Sequence, residues 1–264
     1  MAQVINTNTF SINAQRHLNK NSSSLSTSIE RLSSGLRVNS SKDDAAGLAV
    51  ASRMEADARG LTVALRNASD GMSFAQTADS ALGTVGEILQ RMRELATQSL
   101  NGTISDTERG YLNNEYSQLS TQITDLQGAA KLNNMSVFSS FTFQVGASAS
   151  DTLSATFSSV SVTAGSIGTS SGASSALTAL DTAISSVSSN RSTIGATMGA
   201  LQYRMQQIEA ARENQYSARS RIMDTDFAVE TSNLTRTQIL QQSGTAMVAQ
   251  ANQIPQNVLT LLRG

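Results

Sequence analysis

The sequence predicts a mainly α protein: a long antiparallel helical bundle with one small β-hairpin. Three observations predict this. Apolar residues recur at gaps of three and four along long stretches, the spacing that places them on one helix face. Helix breakers are scarce outside one central block, and the 264 residues include a single Pro. The stretch from Thr237 to Leu262 keeps helical periodicity yet contains no charged residue.

Taken in order, the N-terminal segment carries a heptad row of Leu18, Leu25 and Leu32, flanked by Ile29 and Leu36. A second series runs Met54, Ala58, Leu61, Leu65, Ala68, Met72 and Ala75. After one shortened step it resumes at Ala78, Leu82, Val85, Leu89, Met92 and Ala96, so the seam of this long helix contains a stammer. Asn101-Gly102 reads as its stop. A further helix follows on Leu112, Tyr116, Leu119, Ile123 and Leu126, ending near Gly128.

Residues 139–175 form the central block, with Ser, Thr or Gly at 22 of 37 positions. Between Lys131 and Arg191 the only charges are Asp151 and Asp181. Within it, Phe141-Thr-Phe143-Gln-Val145 and Leu153-Ser-Ala155-Thr-Phe157 alternate with period two, which predicts a β-hairpin. The alternative is an unstructured, O-glycosylated linker. Leu177, Leu180, Ile184, Val187, Ile194, Met198, Leu201, Met205 and Ile208 then resume the helical rhythm. These are narrow stripes on otherwise polar helices, which suits a slender bundle.

The last segment has a heptad row of Leu240, Met247, Ile254 and Leu261, with Val258 alongside, among many Gln and Asn. A helix facing water normally shows charges on its outer face. A bilayer would not accept Gln238, Gln241, Gln242, Gln250, Asn252, Gln253 and Gln256. The remaining environment is other protein, where amides are hydrogen-bonded and ions are costly to bury. A slender chain cannot surround both of its own ends, whereas further copies of it can. An intramolecular hairpin of the termini is the alternative; it explains the seams but not the missing outer charges. Either way, each terminal helix alone is marginal in water, so its ordering is expected to accompany assembly.

Composition excludes several function classes. There is no Cys, so neither disulfides nor thiolate metal sites can form. His17 is the single His, too few for a zinc site of the usual kind or a His-Glu-x-x-His protease. A net charge of −1 argues against nucleic acid as a partner. No apolar run approaches a membrane span, and the polar N-terminus lacks the pattern of a cleavable signal. That pattern fits a cytoplasmic protein or one exported without a signal. Asp43, Asp44, Asp224 and Asp226 could be imagined around a hard cation, but salt bridges to Arg37, Lys42, Arg219 or Arg221 are the preferred reading. Several Asn-x-Ser/Thr sequons occur, at Asn67, Asn101, Asn134, Asn190 and Asn233 among others.

The run Ser28-Ile-Glu-Arg-Leu-Ser-Ser-Gly-Leu-Arg-Val-Asn-Ser-Ser-Lys-Asp-Asp-Ala-Ala-Gly47 closely resembles the N-terminal signature of bacterial flagellins. So does Arg236-Thr-Gln-Ile-Leu-Gln-Gln-Ser-Gly-Thr-Ala-Met-Val-Ala-Gln-Ala-Asn-Gln-Ile-Pro-Gln-Asn-Val-Leu-Thr-Leu-Leu-Arg263 at the other end. The resemblance implies a structural filament subunit without catalytic residues, cofactor or metal. It implies an inner coiled-coil domain of 1–40 plus 225–264 and an outer helical domain of 41–224, with the hairpin around 138–165. It further implies that the additional outer domains of long members are absent.

The resemblance also implies export through the flagellar type III apparatus, an extracellular filament and self-assembly through the terminal helices. Implied partners are copies of the chain, an export chaperone at the C-terminal region, and the filament cap and hook-associated junction proteins. Neither nucleic acid nor membrane insertion is expected. Leu89, Gln90, Arg91, Leu95 and Gln98, with Glu115 on the next helix, resemble the surface bound by the host's flagellin-sensing Toll-like receptor. The bland alternative is that Leu89 and Leu95 pack in the bundle and Arg91 is a solvated charge. A rival function is a hook–filament junction or other secreted accessory protein that does not polymerise indefinitely.

Overall fold

The computed structural model describes residues 7–162 and 165–263, with residues 254–263 described by backbone alone. Five helices and two strand pairs appear among them: α1 (Thr9–Ser34), α2 (Ala45–Ser99), α3 (Asp106–Ala129), β1 (Lys131–Leu132), β2 (Met135–Ser136), β3 (Ser140–Gln144), β4 (Thr152–Thr156), α4 (Ser170–Met223) and α5 (Phe227–Arg263). The chain divides into two compact units, Met1–Ala56 with Gln215–Gly264, and Asp57–Asn214.

In the first unit α1 and α5 run antiparallel. Asn8 accepts from the Ser11 N–H at 3.1 Å and so caps α1, while its amide donates to the Ala251 carbonyl at 2.8 Å. Further along, the Asn21 amide donates to the Thr237 carbonyl at 2.7 Å, and Arg31 lies 3.8 Å from Glu230. Gly35 ends α1 in left-handed backbone at φ 73°, where its N–H closes on the Arg31 carbonyl. The chain then reverses along the end of α4. The Arg37 guanidinium donates to the Arg221 and Ile222 carbonyls at 3.1 and 2.7 Å, filling acceptors that the helix end leaves open. Val38, Ala51 and Met223 close a small core beneath it.

Three of the four aspartates suspected of holding a cation or salt bridges accept from backbone N–H groups instead. Asp43 accepts from the Ser40 and then the Asn39 N–H group, and these bonds hold its carboxyl below the ordinary value. Asp44 accepts from the Gly47 N–H and Asp226 from those of Ala228 and Val229, at the starts of α2 and α5. Asp224 pairs with Leu36 through the main chain. Arg219 finds Glu55 at 3.2 Å rather than an aspartate. Among the described residues, no cluster of three or more candidate metal ligands exists.

The second unit packs the middle of α2 and α4 with α3 and both strand pairs. The expected seam of α2 is buried at Ala58, Ala68, Ala75, Ala78, Leu82, Val85, Leu89, Met92 and Ala96. Tyr116, Ile123, Leu180 and Ile194 face it from α3 and α4. Two ion pairs, Arg93 with Asp181 and Arg191 with Asp79, both at 2.8 Å, join α2 to α4 on the outside. The predicted hairpin forms, with Phe141 opposite Ala155 and Phe143 opposite Leu153. Its Phe141 ring lies 4.9 Å from that of Phe74 on α2.

An unstructured linker is ruled out for the described part of the central block. Val160 exchanges two hydrogen bonds of 2.9 Å with the Gln127 amide. Ile167 is buried, its carbonyl accepting from Ser99 and its N–H donating to Asn113. A second, two-residue strand pair was not foreseen. Asn133 and Asn134, at φ 50° and 62°, make the left-handed turn that joins β1 and β2.

Candidate functional site

Two surfaces collect the residues singled out above. The first is the α1–α5 pair. The side of α5 turned towards α1 is built from Glu230, Leu234, Thr237, Gln241, Gly244, Val248 and Ala251, all buried or half-buried. Their spacing of three and four residues is that of a packed helix, but most of them are small or polar. Small residues let helix backbones approach closely, and a Cβ added at Gly244 would meet the Leu18 methyl at 3.1 Å.

The sequence-predicted heptad row therefore lies beside this seam rather than in it. Leu240 and Met247 are 51% and 64% exposed. With Ala14, His17, Leu18 and Gly244 they line an open groove of about 510 Å³ between the two helices. On α1, Leu18, Leu25 and Leu32 are half-buried and Ile29 is exposed. Leu36 lies past the Gly35 cap and packs with Val38 and Met223 instead. The side chains of Ile254, Val258 and Leu261 lie outside the described residues.

Phe10, Ile12 and Ile239 add to the apolar surface of the pair. Periodicity alone did not single these out, because they fall outside the heptad rows. The intramolecular pairing of the termini thus forms, and among the described residues it leaves Ile239, Leu240 and Met247 largely uncovered.

The second surface is on α2 and α3. Arg91 is exposed and held by two carboxylates: it donates to Glu94 at 2.9 Å and to Glu115 at 3.0 Å. Glu94, and then Glu115, keep its guanidinium protonated beyond the ordinary value. Glu94 was not among the expected residues, although its three-residue spacing from Arg91 was the available signal. Gln90 and Gln98 are exposed nearby on α2. Leu89 and Leu95 are 0% and 1% exposed. Both side chains pack into the core of the bundle, beneath the exposed Arg91.

Comparison with known proteins decides the family. The bacterial flagellin N-terminal helical region matches residues 5–142, and the bacterial flagellin C-terminal helical region matches residues 177–262. The chain belongs to the flagellin family. It is 40% identical to a flagellin of Halalkalibacterium halodurans, over 98% of this chain and all of that protein. It is 38% identical to the flagellar filament 33 kDa core protein of Treponema phagedenis, again over 98% of this chain and the whole relative. Among solved structures, Bacillus cereus flagellin aligns at 30% identity with a TM-score of 0.50, covering 54% of this chain and 88% of that one.

Flagellins are structural proteins of the flagellar filament, not enzymes. The Ser28–Gly47 run falls inside the first match, and nearly all of Arg236–Arg263 inside the second. The interval between the matches, 143–176, is mostly the Ser/Thr-rich block with β4. Among the described residues, no helix is long and apolar enough to cross a membrane.

Proposed function

We propose that this chain is the repeating subunit of an extracellular flagellar filament and polymerises through α1 and α5. One observation carries the reading: Leu240 and Met247 stand exposed on a helix with no charge from Thr237 to Leu262. A bare apolar ridge without ions suits burial against sister subunits better than water. The inner domain is assigned to 1–40 with 225–264, and the outer one to 41–224. Passage through the type III apparatus as an unfolded chain is in keeping with a cysteine-free sequence. On the way, an export chaperone would cover the C-terminal region; at its destination the chain would meet the cap and junction proteins.

The exposed patch of Gln90, Arg91, Gln98 and Glu115 is proposed as the surface read by the host's flagellin-sensing Toll-like receptor. An Arg fixed in place by two acids is a suitable interface anchor. Leu89 and Leu95 support it from the core side.

Deleting Ile254–Gly264 tests the central claim. The product is expected to be a helical monomer that forms no stable filaments when seeded. Normal filaments from it would defeat the proposal. Electron microscopy of the full chain, depolymerised by heat and then reseeded, separates a filament subunit from a junction protein, which would stop at short rings or caps.

A further inference from the structure

The loop between α2 and α3 contains the one Asn-Gly pair in the sequence, Asn101-Gly102. Both residues are exposed. The Asn101 side-chain oxygen accepts from the Thr103 N–H at 3.3 Å, which folds the amide back along the main chain towards Gly102. No backbone hydrogen bond of the described residues engages the Gly102 N–H, and a Cβ built on Gly102 would meet nothing within 4 Å. The nucleophilic nitrogen is thus unencumbered, and the carbonyl it would attack is already polarised by a donor.

The other half of the geometry concerns the Asn101 main-chain carbonyl. Its oxygen accepts from the Ile104 N–H at 3.2 Å and from the Arg109 guanidinium at 3.0 Å. Arg109 is only 9% exposed and is locked by further bonds to the Ser99 carbonyl and to Asp106. Two donors therefore converge on one carbonyl oxygen next to a glycine.

We propose that Asn101 is a self-modifying site, cyclising onto Gly102 and reopening as isoaspartate with its new carboxylate on Arg109. In the first step the Gly102 nitrogen loses its proton and bonds to the Asn101 side-chain carbonyl carbon. The bond from that carbon to the amide nitrogen breaks, and ammonia leaves carrying the proton. The product is a five-membered succinimide. Water then adds to the former main-chain carbonyl carbon, and the bond from that carbon to the Gly102 nitrogen breaks. The chain now runs through the former side chain, and the freed carbon becomes a carboxylate.

Arg109 and Ile104 decide which way the ring opens. Their donors point at the oxygen that gains charge when water attacks the main-chain carbon, as oxyanion donors do in acyl transfer. Attack at the other carbon, which would give ordinary aspartate, has only the single, longer Thr103 N–H bond at 3.3 Å to draw on. The finished carboxylate turns the Arg109 bond to a neutral carbonyl into an ion pair. The loop closure then survives the change in main-chain connectivity.

The test ages the purified full chain at mildly alkaline pH and follows each Asn by peptide mass spectrometry. Isoaspartate is read separately, by methyl transfer from S-adenosylmethionine with an isoaspartyl methyltransferase. Asn101 is expected to convert before every other Asn. Gly102→Ala, which the open space tolerates, should slow conversion severalfold without changing helicity. The ratio of isoaspartate to aspartate should be higher in the native chain than in the urea-unfolded chain. An Asn101 that keeps its amide as long as the other Asn residues, or a Gly102→Ala chain that converts equally fast, overturns the site. Equal product ratios in the folded and unfolded chains overturn the part assigned to Arg109.

Discussion

Phe143 packs against Gly71: three of its ring carbons stand 3.1–3.2 Å from the place a Cβ on that glycine would take. The hairpin is thereby seated on α2 through the absence of a side chain. Gly71→Val forces the ring away and should destabilise the chain by about 1–3 kcal/mol, the usual cost of overpacking. Urea unfolding monitored by circular dichroism would show it as a lower midpoint with an unchanged slope.

Tyr116 is 1% exposed, and its hydroxyl has no partner among the described residues. A buried, unmatched hydroxyl costs about 1–3 kcal/mol, so Tyr116→Phe should raise stability by about 1 kcal/mol at neutral pH. Burial also lifts the phenol above its ordinary 10.0. The unfolded chain therefore ionises first, and stability falls as pH rises past 10.0. The Phe variant lacks that loss, so the gap between the two melting curves should widen in alkali.

Leu240→Asp with Met247→Asp changes two exposed positions, so the isolated chain should fold with stability within about 0.5 kcal/mol of the parent. Polymerisation should be lost, because each carboxylate would have to be buried between copies. Sedimentation together with electron microscopy measures both outcomes. Filaments of normal length would show that this ridge faces water.

Arg91→Ala should lower signalling through the flagellin-sensing receptor roughly tenfold, as expected for the loss of an interface anchor. Helicity and thermal midpoint should stay as they were, since its two ion pairs are exposed. Unchanged potency would place recognition elsewhere.

Glu108 closes a capping box at the start of α3, accepting from both the N–H and the hydroxyl of Ser105. The Ser105 N–H and then its hydroxyl hold the carboxyl below the ordinary 4.5. Because the folded value is the lower one, its contribution is complete above 4.5 and fades as pH drops through that folded value. Glu108→Ala should therefore melt below the parent at neutral pH, and the difference should shrink on acidification.

Much of this was legible in the sequence because hydrophobic period reports burial in thick packing. The α2 row from Ala58 to Ala96 is core, and the alternation of Phe141 and Phe143 with Leu153 and Ala155 is the hairpin. In the terminal pair the same signal marks residues that α1 leaves uncovered. A search for large apolar residues finds Leu240 and Met247, whereas the contact with α1 runs over Thr237, Gln241, Gly244 and Ala251. Close helix approach selects small residues, and hydropathy cannot see that. Leu89, in the row with Met92, is legible as core, whereas Leu95 falls outside that row and is buried all the same. β1 and β2 are too short for any period, and only the paired Asn133 and Asn134 hinted at their turn.

An α5 without ions from Thr237 to Leu262 offers dissolved electrolyte nothing to screen. The contacts made by that stretch of α5 should weaken little as ionic strength rises, while outer ion pairs such as Arg93 with Asp181 soften. A swimmer built on such a seam would keep its propeller intact across habitats that differ chiefly in salt.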